Sequence, residues 1–209
     1  MIHRAHAVPC LAALGAAGVL ALSGPAFAVG SYTVTAGSQT SGTTTFVGSA
    51  EPVEFSTPGV NLSCGGSQLG GVLNLGTSDG TDVATVQSSS FTDCVGPLGI
   101  PLEFTHTGDW TISTTGTKQD GTYMKRVSNI SLHVSNPDGQ CDLDVNGSVD
   151  GVIDQTAQQF RATTPVAGAR LVISNVSGCF GIVNDGDTVE TDVAYDITTA
   201  AGPFAISES

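Results

Sequence analysis

The sequence predicts an all-β fold, a sandwich or barrel built from two duplicated, disulfide-bridged β-modules. The first observation behind this prediction is the alternation of apolar and polar residues in many short stretches, without sustained helical periodicity. The second is the frequency of turn residues between these stretches, including 27 glycines and 9 prolines. The third is a cysteine-containing phrase that occurs twice. Many short strands separated by turns are typical of sandwiches and barrels.

The first 28 residues have the pattern of a secretory signal peptide. Arg4 precedes an apolar run, Leu11–Leu22, and Ala26–Ala28 has the small-x-small pattern of a cleavage site. The run is too short to cross a bilayer comfortably, and no other stretch is long and apolar enough for a transmembrane helix. We therefore expect no transmembrane segment and an exported all-β domain over residues 29–209.

Seven segments of the exported part are predicted as strands. β-branched and aromatic residues dominate them, and glycine, proline, asparagine and aspartate separate them. The segments are Thr43–Val47, Val83–Val86, Ile100–Thr105, Trp110–Ser113, Ile130–Val134, Leu171–Ser174 and Val189–Ile197.

The repeated phrase indicates an internal duplication. The string SSSFTDCVGPLGI around Cys94 is similar to ISNVSGCFGIVN around Cys179. Sixteen positions after each cysteine comes an aromatic residue, Trp110 or Tyr195, which begins a strand of similar sequence. Shared spacing over this length predicts two copies of one β-module rather than a chance likeness. The predicted repeats are about residues 43–116 and 117–199.

Four cysteines remain after the predicted cleavage, and in an exported chain they are expected to form disulfides. Three connectivities are possible for four cysteines. The duplication selects the one in which each repeat contains its own bond. The predicted bonds are Cys64–Cys94 and Cys141–Cys179.

The charge of the chain excludes some classes of partner. The formal net charge is −13, and all 19 acidic residues lie in the exported part. Such a surface repels nucleic acids and anionic lipid headgroups. We therefore expect no nucleic-acid partner and no cofactor; cell-envelope components or a small ligand remain as candidate partners.

The sequence has few residues suited to catalysis. The exported part contains two histidines, His106 and His133, each inside a predicted strand. No nucleophile elbow or zinc-protease motif is present. We therefore assign no catalytic residue and expect no enzymatic activity. A secreted hydrolase is the remaining alternative, and it requires one of these histidines beside an acid and a hydroxyl in a cleft.

One acidic string has part of a calcium-loop pattern. Asp142, Asp144, Asn146 and Asp150 occupy loop positions 1, 3, 5 and 9, but Ile153 stands where a bidentate glutamate belongs. Apolar residues alternate with these acids, which instead favours a strand with one solvated face. We assign no metal site and keep the four residues only as calcium candidates.

Several strings resemble a group of exported proteins. GQC, VNGS and LVISNVSGCFGIVNDGDTV, together with FTDCVGPLG, are similar to Thr/Gly/Ser-rich exported proteins of actinomycete bacteria. The resemblance covers most of the exported part and implies an envelope-associated or extracellular setting, but no activity or catalytic residue. In composition alone, the chain is also similar to small acidic two-disulfide carriers related to neocarzinostatin, which implies a sandwich that binds a small ligand.

We therefore expect a secreted, non-catalytic protein of the extracellular space or cell envelope, with a structural or binding role. The alternative is a carrier module for a small ligand, a glycan or a cation. The carrier predicts an apolar pocket near Trp110 and Tyr195, or acids that converge on an ion. The structural role predicts a filled interior.

Overall fold

The computed structural model describes residues 30–116, 122–162 and 168–208. The predicted signal peptide, residues 1–28, and the predicted repeat boundary at residue 117 lie outside the described residues. The strands are β1 (Tyr32–Ala36), β2 (Gly42–Ala50), β3 (Val53–Thr57), β4 (Val60–Cys64), β5 (Gly66–Ser78), β6 (Ala84–Thr92), β7 (Glu103–His106), β8 (Trp110–Thr114), β9 (Thr122–Ser135), β10 (Cys141–Asp154), β11 (Gln159–Ala162), β12 (Leu171–Gly178), β13 (Thr188–Asp192), β14 (Ala194–Thr199) and β15 (Phe204–Glu208).

Eight antiparallel rows close into one barrel, where a row is either one strand or two consecutive strands that occupy the same position in the wall. In chain order the rows are β2 with β3, β4 with β5, β6, β7 with β8, β9, β10, β11 with β12, and β13 with β14. Each row pairs with the next one in the chain. The last row closes the barrel on the first, because β14 pairs with β2 and β13 with β3. The all-β prediction is confirmed, and the architecture is a barrel.

Each predicted repeat supplies four consecutive rows of the barrel. The first supplies β2 to β8, and the second supplies β9 to β14. Cys64 is bonded to Cys94 and Cys141 to Cys179, which is the pairing that the sequence predicted. Both disulfides join neighbouring rows, so they reinforce the wall within each half of the barrel.

The two ends of the barrel differ. At one end, here called the plugged end, β1 pairs with β15 and with the last residues of β5, and both strands bury their apolar side chains. The opposite end, here called the loop end, has the turns at residues 58–59, 96–100, 136–140 and 179–187. The second and fourth of these turns contain single-turn 3₁₀ helices, Pro97–Gly99 and Cys179–Gly181.

Alternation along the strands separates the interior from the surface. In β9, Tyr123, Lys125 and Val127 are buried, whereas the residues between them are partly exposed. Successive side chains of a strand point to opposite faces of the wall, so one set enters the lumen. The inward set is almost entirely apolar and forms the main core of the molecule.

Two glycines let aromatic rings lie flat against the inner wall. A Cβ on Gly71 would lie 2.8 Å from a ring atom of Phe46, and one on Gly151 would lie 2.5 Å from the ring of Phe160. These contacts are closer than real Cβ atoms make, so any larger residue would displace the ring. Both rings line the lumen, and the glycines therefore help to determine its shape.

Candidate functional site

The lumen of the barrel contains two cavities that follow one another along its length. The larger has a volume of about 120 Å³ and the smaller about 90 Å³. Phe55, Leu132 and Leu171 line both of them, so the cavities adjoin near the middle of the barrel. Their walls are almost wholly apolar, which makes the lumen suitable for hydrocarbon rather than for polar ligands.

The larger cavity extends from the plugged end to the middle of the barrel. Val34 of β1 and Ile206 of β15 line it at the plugged end. Trp110 and Tyr195, which the sequence placed near a possible pocket, also line it. The structure therefore brings the two corresponding aromatic residues of the repeats into one cavity.

Few polar atoms reach this cavity. The Tyr195 hydroxyl lies 3.0 Å from Ser67 Oγ, and burial raises the pKa of Tyr195 to about 12. Trp110 Nε1 is buried without a hydrogen-bond partner among the described residues. The tyrosine is thus neutral and satisfied by the protein, whereas the indole N–H is not.

Lys125 is a charged residue that lies inside the lumen. Its side chain is 0% exposed and lines the larger cavity. The ammonium donates a hydrogen bond to Thr114 Oγ1 and lies 6.0 Å and 5.7 Å from the ring centroids of Tyr32 and Tyr123. In the described part of the chain, no carboxylate lies within ion-pair distance of it. Burial lowers the pKa of Lys125 to about 8.

Sequence reasoning did not select Lys125, although one signal was present. Lys125 alternates with Tyr123 and Val127, which are apolar or aromatic, and Arg126 belongs to the opposite set. In a strand with one buried face, this position assigns the lysine to the interior. The pattern was hard to recognise because Arg126 follows directly, and two consecutive charged residues usually indicate a solvent-exposed segment.

The smaller cavity extends to the loop end. Pro97, Ile100, Phe180 and Ile182 line it there. The side chain of Phe180 is 59% exposed and that of Leu98, in the neighbouring turn, is 100% exposed. Apolar side chains thus lie at the solvent-facing end of an apolar lumen, where a small molecule has a short path inward.

The two exposed residues occupy equivalent turns of the repeats. Leu98 has φ 60° and ψ 17°, and Phe180 has φ 55° and ψ 16°. Left-handed backbone is uncommon for a residue with a side chain and costs on the order of 1 kcal/mol or more. The first turn follows the disulfide cysteine Cys94 and the second begins at the disulfide cysteine Cys179, so a covalent bond holds the base of each turn.

The calcium candidates do not converge on one point. Asp142, Asp144, Asn146 and Asp150 all lie within β10, which continues unbroken where a calcium loop would curl. Asp142 and Asp150 are eight residues apart, roughly 26 Å along a strand. The alternation of apolar residues therefore decided the local structure, which is the strand that the sequence favoured over a calcium loop. In the described ranges, no three His, Cys, Asp or Glu side chains are grouped to hold a metal ion.

Two of these acids instead contact His133 on the outer face. His133 Nδ1 lies 3.0 Å from Asp144 Oδ1, and Nε2 lies 3.2 Å from Asp142 Oδ2. The hydrogen bond with Asp144 is the main cause of a raised pKa of His133. The pKa of Asp144 is lowered, first by a hydrogen bond from Asn175 and then by the one with His133.

The fourth calcium candidate, Asp150, forms an ion pair with Arg126. Asp150 is 1% exposed on the outer side of the wall, and it accepts hydrogen bonds from Arg126 Nε at 2.7 Å and Nη2 at 3.0 Å. The bond with Asp150 raises the pKa of Arg126. This bidentate contact between a buried carboxylate and an arginine stabilises the pairing of β9 with β10.

The two histidines have separate surroundings. His106 Nδ1 lies 3.0 Å from Ser89 Oγ, and its ring stacks on Trp110 with centroids 4.6 Å apart. No carboxylate contacts His106 among the described residues. The hydroxyl that the hydrolase alternative requires is therefore beside one histidine, and the acids are beside the other.

Within the described ranges, no helix is long and apolar enough to cross a membrane. Comparisons with known proteins gave no match among family models, curated proteins or solved structures.

Proposed function

We propose that this chain is a secreted, non-catalytic binding protein that carries one small apolar ligand inside its barrel. The observation that carries the proposal is the pair of adjoining apolar cavities in the lumen. Barrels of eight strands have an interior just wide enough to be filled by side chains or to hold one small ligand. Here the side chains leave space, which favours the carrier over a purely structural envelope protein.

The free-energy cost of an empty apolar cavity also supports the carrier proposal. An unfilled apolar cavity destabilises a protein by about 24 cal/mol per Å³, or about 3 kcal/mol for a volume of 120 Å³. A ligand that fills the space recovers contacts of this size and removes its own apolar surface from water. The barrel is thus a host whose stability rises on binding.

The disulfides and the N-terminal sequence support the part of the proposal that concerns the location of the protein. Two disulfides support an oxidising compartment, and the apolar N-terminal run supports export. A strongly acidic surface favours solubility outside the cell and disfavours nucleic-acid partners. We therefore place the carrier in the extracellular space or at the cell envelope.

The ligand enters at the loop end. β1 and β15 cover the plugged end with buried side chains, whereas Leu98, Phe180 and Ile182 are exposed beside the smaller cavity. Exposed apolar side chains at the entrance offer a hydrocarbon its first contacts outside water, and exposed apolar patches are typical of binding sites.

The proposal is tested by titrating the mature protein with 1-octanol in a calorimeter. We expect saturable binding of one molecule per chain and a rise in melting temperature with ligand concentration. Val86→Phe places a ring in the larger cavity, since Val86 is fully buried and lines it. This variant should bind 1-octanol at least tenfold more weakly.

The matched control is Val47→Phe, which adds the same ring at an exposed position on the outer face. It should bind 1-octanol like the wild type. If Val86→Phe does not fold, Leu73→Phe tests the same cavity from a half-buried position. Absence of saturable binding to the wild type, or equal binding by the lumen and surface variants, would refute the proposal.

A further inference from the structure

We infer that the ligand is an amphipathic monoanion, a hydrocarbon chain of about eight carbons whose carboxylate binds Lys125 at the plugged end of the lumen. This inference rests on the proposed function, because it assigns the chemistry of the ligand to the same cavity. Two features of the lumen carry it: a buried cation that has no anionic partner among the described residues, and an apolar space that extends away from that cation.

Among the described residues, no negative charge lies close enough to Lys125 to form an ion pair with its ammonium group. An ammonium group taken out of water is costly unless a counterion and hydrogen bonds replace its hydration. In the described part of the chain, its hydrogen-bond partner is the neutral hydroxyl of Thr114. An ammonium has three donors, so donors remain for the two oxygens of a carboxylate.

The other ionisable groups at the plugged end do not supply the missing charge. Tyr32 of β1 and Tyr123 of β9 present ring faces to the ammonium. Desolvation, followed by the nearby charge of Glu208, raises the pKa of both tyrosines, so they stay neutral where the lysine is charged. Glu208 of β15 is exposed and lies beyond ion-pair distance of Lys125.

The lumen has room for a chain of medium length. A cavity of about 150 Å³ accommodates benzene, so volumes of about 120 and 90 Å³ together have room for roughly eight carbons. Lys125 and Leu132 line the larger cavity from the same strand, seven residues apart, which is roughly 23 Å along the strand. The space is therefore elongated, as an alkyl chain requires.

A carboxylate fits this site better than a phosphate ester. A phosphate monoester carries about 1.5 to 2 negative charges near neutral pH and needs several donors. Among the described residues that line the larger cavity, Lys125 is the one cation, and the wall around it is mostly apolar. A single negative charge matches it and leaves no excess charge buried.

The experiment compares octanoate with 1-octanol, which has the same chain length and no charge. Calorimetric titrations are made with the mature wild type, with Lys125→Met and with Arg161→Met. Arg161 is exposed on β11, so its replacement removes one positive charge without altering the lumen. We expect Lys125→Met to weaken octanoate binding at least tenfold and to leave 1-octanol binding unchanged or stronger. Arg161→Met should bind both ligands like the wild type.

A pH series on the wild type keeps the inference testable if Lys125→Met does not fold. Octanoate affinity should fall at least tenfold between pH 7 and pH 10 as the lysine loses its proton, whereas 1-octanol affinity should not change. Equal octanoate binding by the wild type and Lys125→Met, or octanoate affinity independent of pH, would overturn the inference. Binding of 1-octanol without octanoate would also overturn it but leave the proposed function intact. Binding of neither would overturn both.

Discussion

At the residue scale, the face on which a side chain falls decides its role. Lys125 pairs in register with Gly151 of β10, and this register directs the lysine into the lumen. Arg126, one residue later, falls on the outer side and binds Asp150. A shift of one residue would exchange the two faces, so the chemistry of the lumen depends on the pairing of two long strands.

His133 provides a residue-scale prediction about pH. Its folded-state pKa is raised by Asp144 and Asp142, so its contribution to stability is complete below its unfolded-state pKa of about 6.5. That contribution is lost as pH rises through the raised folded-state value. We expect the wild type to exceed His133→Gln in free energy of unfolding at pH 5.5, by less than about 1 kcal/mol because the groups are partly exposed. At pH 8.5 the difference should vanish.

Urea denaturation at both pH values measures this difference. Asp144→Asn serves as the matched control, because it removes the main partner of His133 and should reduce the same pH dependence, while Asp142 remains beside the ring. A wild-type advantage that grows toward pH 8.5 would contradict the assignment of charges to this contact.

At the element scale, the loop end is built from two equivalent units. Each unit consists of a row of strand, a disulfide cysteine and a 3₁₀ turn with a left-handed apolar residue at its tip. The disulfide at the base keeps the turn beside the lumen. Each unit thus places one exposed apolar residue at the entrance, Leu98 four residues after Cys94 and Phe180 one residue after Cys179.

The disulfides lead to an element-scale prediction about stability. The bonds close loops of similar length, with separations of 30 and 38 residues. In the chain-entropy model each contributes about 4 kcal/mol. Replacing either pair with alanines, in separate double variants, should therefore lower the free energy of unfolding in urea by similar amounts. Reducing the wild type with dithiothreitol is the control. An unchanged free energy of unfolding in one double variant would contradict equivalence of the repeats.

At the scale of the whole molecule, the two repeats are halves of one barrel. Each half offers four rows, and the closing contacts lie between halves, at β8–β9, β7–β9, β14–β2 and β13–β3. A half alone would expose two strand edges and the apolar face of the lumen. Closure of the barrel therefore pairs the backbone groups of these edges and removes the apolar face of the lumen from water.

This architecture predicts that neither half folds alone. Residues 30–116 and 117–209, expressed separately, should lack near-ultraviolet circular dichroism and a cooperative thermal transition. A half alone would leave two strand edges unpaired and the apolar face of the lumen exposed to water, which opposes independent folding. The full mature chain is the control. Cooperative unfolding of either half as a monomer would show that the repeats are autonomous modules.

The sequence by itself determined the strand-rich character and the pairing of the cysteines, and it predicted the repeat. These depend on local alternation and on spacing, which survive without knowledge of distant contacts. The same alternation around Asp144 was sufficient to reject a calcium loop. The tertiary structure alone decided that the two halves close into one barrel and that space remains in its lumen beside Lys125. Closure, register and packing join residues far apart in the chain, and no local pattern specifies them.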